Sequence, residues 1–277
     1  MRVELYAPKG VVSDQVSHDL LTMLRHHLSQ MPDVKVTTDA PDIIHIFGAW
    51  NYHSARHLFK AHRLRIPTVW SPLGGLCEWV TADKPTEKQL KALAYQRKML
   101  RLADTVHVMS TIEHKEAAKH KDTAGIALIP NAIITNQISE EEMARQLAAC
   151  YQQTISLYDK RIRSEIETFL GESGVSCKAE EEQIIKICRQ TLYIDYYRHR
   201  NTIPLSLLNQ LSHTLTTSDY NEDALVDTHR RLKQMPLFQS LLQVMAERCA
   251  LTEGFMPDTP ADNRLTKTIR KLICEDT

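Results

Sequence analysis

Residues 68–79 read TVWSPLGGLCEW. The β-branched and aromatic start, Thr68, Val69 and Trp70, has the composition of a buried strand. Pro72, Gly74 and Gly75 then end that strand, and an acid and an aromatic, Glu78 and Trp79, follow at once. A strand closed by so permissive a backbone predicts a sheet whose loops converge on a ligand, and the flanking sequence repeats the pattern.

Upstream lie VELYAP (3–8), a helical segment with Val16, Leu20, Leu24 and Leu28 spaced by four, VKVTTD (34–39), DIIHIFG (42–48) and a helical pattern over 51–64. Downstream, a helix over about 87–102 precedes TVHVMS (105–110), and a shorter one leads to GIALIPN (125–131). Short apolar strands separated by helix-length segments predict a parallel sheet covered on both faces, the doubly wound, Rossmann-like α/β class. After about residue 135 the strand-like runs stop. Residues 140–170 form one long helical pattern, acidic at its start, with Leu147, Tyr151, Thr154, Tyr158, Ile162, Ile166 and Phe169 on one stripe. Further helical patterns cover 179–198, 204–215, 221–234, 236–251 and 261–274. The expected organisation is a Rossmann-like domain at 1–135 and an all-helical domain at 136–277.

The 277 residues carry 34 Lys and Arg against 34 Asp and Glu, so bulk charge points to no nucleic-acid partner. No apolar run has the length of a transmembrane helix, and MRVELYAPKG reads as a first strand rather than a signal peptide. Six scattered cysteines without a C-x-x-C pair predict reduced thiols and a cytoplasmic protein; of these, Cys77 alone sits in an unusual loop.

Ligands of open α/β sheets bind beyond the carboxyl ends of the strands. The candidates there are Gly10, Gly48, Gly74, Gly75, Ser110 and Asn131, at the ends of successive strands. Neither G-x-G-x-x-G nor G-x-x-x-x-G-K-[ST] occurs, and there is no G-x-S-x-G elbow. His53 and His57 have the spacing of two ligands on a helix, but Arg56 lies between them and the glutamate of H-E-x-x-H is missing, so no metal is expected.

Taken in order, DIIHIFGAW, IPTVWSPLGGLCEW, LRLADTVHVMSTIEHKEA and IALIPNAI resemble the N-terminal, acceptor-side domain of GT-B glycosyltransferases, most closely the family 4 retaining type, over residues 1–135. The resemblance implies one half of a two-domain cleft, in which this half holds the acceptor and a second Rossmann-like half holds the nucleotide-sugar. No second βαβ series follows, so the donor half is expected to be missing and replaced by helices. Leu73 stands where the family usually has a histidine, and the first-loop glycine pair is reduced to Lys9–Gly10.

On this resemblance Lys9, Gly10, Gly48, Ser71, Gly74, Gly75, Glu78, Ser110 and Asn131 line the acceptor side. Glu78 would orient an acceptor hydroxyl, and Lys9 would meet a phosphate on a lipid-linked or nucleotide-bearing acceptor; the catalytic residues are not identified. The implied activity is sugar transfer to a glycan or lipid-linked acceptor, with a donor-domain partner chain and no cofactor besides the nucleotide-sugar. A peripheral position at the inner face of the membrane is compatible with such an acceptor. The alternative is a non-catalytic binding or scaffold protein whose stripe Leu147–Phe169 docks a partner; the helical half could also act as a lid over the cleft.

Overall fold

A computed structural model describes residues 1–39, 41–82 and 85–274, which divide into two compact units, Met1–Tyr158 and Asp159–Thr277. The first unit runs β1 (Arg2–Tyr6), α1 (Lys9–Val12), α2 (Gln15–Ser29), β2 (Lys35–Val36), β3 (Ile43–Phe47), α3 (Tyr52–Arg63) and β4 (Thr68–Ser71). It continues through α4 (Glu78–Ala82), α5 (Pro85–Lys91), a π-helical turn (Ala92–Gln96), α6 (Arg97–Leu102), β5 (Thr105–Val108), α7 (Thr111–Ala118) and β6 (Ile126–Leu128). The six strands pair in parallel in the order β2-β1-β3-β4-β5-β6, as a doubly wound sheet requires.

Register decides which face each residue serves. Leu5, His45, Val69 and Thr105 stand in one row across β1, β3, β4 and β5, so Ile43, Phe47, Ser71 and His107 share their face. On that face α2 buries Leu20, Leu21, Met23, Leu24 and Leu28 against Val3, Leu5, Ile43, Phe47 and Val69. Each such leucine contributes on the order of 2 kcal/mol of burial free energy. Val16 begins the same four-residue spacing but stays 39% exposed, because it lies over the loops rather than the strands. The opposite face carries Ile44, Ile46, Trp70 and Val106, all buried, and α3 packs there on β3, β4 and α6.

The first unit does not end after residue 135. The helix α8 (Glu140–Glu172) begins in it, and Met143, Ala144, Leu147, Ala148, Cys150 and Tyr151 belong to the core on the α2 face. Thr154 of the same helix meets Thr105 through a 2.7 Å hydroxyl contact. The unit boundary therefore falls within α8. Further along the stripe Ile162 and Ile166 are buried and Tyr158 and Phe169 half-buried, so most of the stripe packs into the protein's own cores rather than facing outward.

The second unit continues with α9 (Lys178–Arg198), β7 (Ile203–Pro204), α10 (Leu205–Thr217), α11 (Glu222–Arg231), α12 (Met235–Arg248), α13 (Arg264–Leu272) and β8 (Ile273–Cys274). Its core is made of side chains such as Ile184, Cys188, Leu208, Leu211, Leu225, Phe238, Leu241 and Ile269. It is helical apart from β7 and β8, which pair in parallel through Ile203↔Ile273 and Pro204↔Cys274. That bridge gives backbone partners to two extended residues before α10 and two after α13. No βαβ series occurs among its described residues, and no described helix is long and apolar enough to cross a membrane.

Candidate functional site

The loops after β3, β4, β5 and β6 build one rim. After β3, Gly48 takes a φ of +94°, and its amide donates to the Ser71 carbonyl at 2.8 Å. A Cβ there would come within 2.4 Å of the Val11 side chain. Trp50 follows with a φ of 56° and is held from three sides. Its amide donates to Gln96 Oε1 at 3.1 Å, its carbonyl accepts from the Tyr95 hydroxyl at 2.8 Å, and its indole donates to the Gly75 carbonyl at 2.6 Å. Tyr95 and Gln96 come from the π-helical turn, which interrupts the helix expected over 87–102.

After β4 the chain passes Leu73 (φ 57°) and Gly74 (φ 78°) before Gly75, whose added Cβ would meet Ala49 Cβ at 2.4 Å and the Pro72 carbonyl at 2.8 Å. After β5, Ser110 caps α7 by accepting from the Glu113 amide at 3.1 Å. The Glu113 side chain turns back and is fully buried. Its carboxylate accepts from the amides of Met109 at 3.3 Å and Leu76 at 3.4 Å. Burial pushes the Glu113 carboxyl up from its ordinary range, and the backbone amides beside it oppose the shift. One side chain thus ties the β4 loop to the β5 loop. After β6, Asn131 Oδ1 accepts from the Ile133 amide at 2.9 Å, and its carbonyl accepts from the Thr135 amide and hydroxyl, both at 2.9 Å.

The loops after β4, β5 and β6 and the start of α2 line a cavity of about 460 Å³. Of the expected residues it brings together Gly74, Ser110 and Asn131, joined by Leu73 and Cys77. The other expected residues stand outside its lining. Lys9 and Gly10 are exposed in α1, and Glu78 is exposed in the first turn of α4. Gly48 and Gly75 are packing and turn positions of the rim. Ser71 is fully buried beneath it.

Asp14, Ser17, Trp79 and Glu113 also line the cavity and were not among the sequence candidates. The spacing Ser110-x-x-Glu113 and the cap Asp14-x-x-Ser17 are visible in the sequence as helix starts. Asp14 accepts from the Ser17 amide and hydroxyl at 2.9 and 2.8 Å, which holds its carboxyl below the usual range. The Cys77 thiol is pushed up by burial and by the Glu113 carboxylate, so it is a poor nucleophile.

Ser71 has a different role. It sits in a buried chain that crosses three strands: Tyr151 to His45 Nδ1 at 2.7 Å, His45 Nε2 to Ser71 Oγ at 2.6 Å, Ser71 Oγ to His107 Nδ1 at 2.6 Å, and His107 Nε2 to the Ile129 carbonyl at 3.1 Å. The carbonyl can only accept, so His107 donates from Nε2 and accepts at Nδ1 from the Ser71 hydroxyl. Ser71 then accepts from His45 Nε2–H, and the Tyr151 hydroxyl donates to His45 Nδ1. Both rings are neutral, since burial lowers His107 to about 4 and His45 well below its ordinary value, the latter with help from His107. Each polar group is satisfied, which a serine nucleophile open to a substrate would not be.

His57 Nε2 lies 3.1 Å from Glu4 Oε1, and its ring stacks on Tyr6 at 3.7 Å, which accounts for it without His53. Among the described residues no group of three His, Cys, Asp or Glu side chains could hold a metal ion.

Residues 5–132 match the family model described as a glycosyl transferase 4-like domain. The match lies within the first unit and covers the motifs that resemble the family 4 type. No curated protein and no solved structure matches the chain.

Proposed function

Starting from the glycosyl transferase 4-like domain of residues 5–132, we propose that the protein is the acceptor-side component of a sugar-transfer enzyme, with the acceptor held in the cavity of the sheet rim. The observation that carries this reading is the convergence of Gly74, Ser110 and Asn131, from three successive strand ends, on one cavity. The nucleotide-sugar would be bound by a partner chain. The helical second unit offers no parallel sheet among its described residues, and such a sheet is the usual platform for a diphosphate at helix N-termini. No other cofactor belongs to this reading, and a peripheral position at the inner face of a membrane is its location, checked by fractionation.

Gly74→Val tests the site. The position has a φ of 78° and open space where a Cβ would go, so a valine costs on the order of 1–2 kcal/mol in backbone strain and fills the cavity wall. Loss of acceptor binding with the sheet still folded is expected; unchanged binding places the acceptor elsewhere. Co-purification tests the partner, and a donor-domain chain is the expected companion. Thermal shift with UDP-, GDP- and CMP-sugars on the chain alone is expected to give no stabilisation; a shift of several degrees at millimolar ligand removes the need for a partner.

A second reading, a non-catalytic binding protein, draws on Leu73, which lines the cavity with an aliphatic side chain. It predicts a solitary monomer that binds the acceptor and transfers nothing.

A further inference from the structure

The walls of the rim cavity say which acceptors it admits. Backbone amides at such a rim commonly receive the oxygens of an anion. Here the protein has already used several of them: the Leu76 and Met109 amides bond to Glu113, the Ser17 amide bonds to Asp14, and the Glu113 amide bonds to the Ser110 hydroxyl. The described lining holds two carboxylates, Asp14 and Glu113, and no lysine, arginine or histidine. A phosphate entering this space would find no unoccupied amide at these positions and would face two negative charges.

The remaining surface is of another kind. Trp79 is 61% exposed and Ile134 66% exposed at this cavity, beside Val16, Leu20 and Leu73. Among them stand the hydroxyls of Ser17 and Ser110, and the Asn131 side chain, whose oxygen is taken by Ile133 and whose NH₂ is left as a donor. Apolar walls with a few polar groups suit a ligand that is itself both apolar and hydroxylated.

We propose that the cavity takes an uncharged, hydroxyl-rich ligand carrying an apolar substituent, the chemistry of a neutral glycoside, and rejects phosphorylated ones. This rests on reading the cavity as the acceptor site, and it replaces the phosphate contact expected of Lys9, which stands outside the lining. Asp14 and Glu113 here exclude anions and fix the loops; the apolar residues and hydroxyls make the contacts.

The test follows tryptophan emission of the full chain during titration with octyl β-D-glucopyranoside below its micelle concentration, and in parallel with octyl phosphate and glucose 6-phosphate. Octyl glucoside is expected to give a saturable change that Trp79→Phe abolishes, and the two phosphates to bind at least tenfold more weakly. In Asp14→Asn, which keeps a capping oxygen but loses the charge, the gap between octyl glucoside and octyl phosphate should narrow several-fold. Equal or tighter binding of octyl phosphate to the unmodified chain, dependent on Trp79, overturns the ligand class while leaving the acceptor site in place. No saturable response to any of the three overturns the site as well.

Discussion

Residues in the left-handed backbone region fall into two groups in this molecule. Arg65, Gly174, Asn201 and Lys233 end helices: in each case the next amide reaches back five residues, Ile66 to Ala61, Val175 to Leu170, Thr202 to Tyr197 and Gln234 to His229. Ala250 similarly follows the end of α12. These are local devices that satisfy the last carbonyls of a helix. Gly48, Trp50, Leu73 and Gly74 also take a positive φ, on the sheet rim, where Trp50 is held by contacts from distant parts of the chain. At a helix end the conformation completes the helix; on the rim, at Leu73 and Gly74, it shapes a cavity wall.

The buried serines divide in the same way, and they give the largest expected effect. Ser71→Ala leaves the His45 Nε2–H and His107 Nδ1 without partners in the sheet core, at a cost of about 3 kcal/mol. Ser240 is equally buried, but its hydroxyl bonds mainly back to Pro236 within α12 at 2.8 Å and reaches Asn263 Oδ1 only at 3.3 Å, where Asn263 keeps its amide partners, so Ser240→Ala should cost about 1 kcal/mol. Urea unfolding of the two variants measures the difference. Equal losses would mean that the chain through Ser71 is no more than local packing.

The next effect is a pH dependence that differs between the units. His45 and His107 are buried neutral in the first unit and His229 in the second, with His107 and His229 lowered to about 4 by burial. As pH falls below about 6.5, the unfolded chain takes up protons on these rings and the folded chain does not. Stability is therefore lost between about pH 6.5 and 4, by up to about 1.4 kcal/mol per pH unit for each histidine. Trp50, Trp70 and Trp79 all lie in the first unit, so tryptophan emission follows that unit alone. Its midpoint in urea should fall more steeply from pH 6.5 to 5 than the midpoint of the second unit. A flat response would show that the buried rings are not kept neutral.

The smallest effect tests the backbone comparison itself. Lys233→Gly should stabilise by up to about 1 kcal/mol, because glycine removes the strain of a φ of 57° at an open helix end. Leu73→Gly has the same backbone benefit but should be destabilising overall, since the Leu73 side chain packs on the core of the α2 face. Two substitutions of the same sign would erase the distinction between helix ends and rim.

The alternation of strands and helices was legible because burial on both faces of a parallel sheet demands continuous apolar runs, as in IIHIF and TVWS. The candidate site was legible in part. Gly74, Ser110 and Asn131 could be placed because strand ends mark the rim, whereas Glu113 and Asp14 look like ordinary residues of helix starts. Nothing in local spacing shows that Glu113 bonds to amides of another loop. Ser71 was misplaced in the cavity for the converse reason: a serine at a strand end looks exposed until its neighbours, His45 and His107, are known.

What the sequence alone determined is therefore the periodic part: six strands, their covering helices, a helical second half and the family 4-like motifs of residues 5–132. Periodicity and turn chemistry act between near neighbours, and they can be read from one chain. Three things needed the tertiary structure: that α8 completes the first core, that Ser71 belongs to a buried chain, and that two carboxylates occupy the amides of the rim. Each depends on groups far apart in sequence whose burial leaves them only one another as partners.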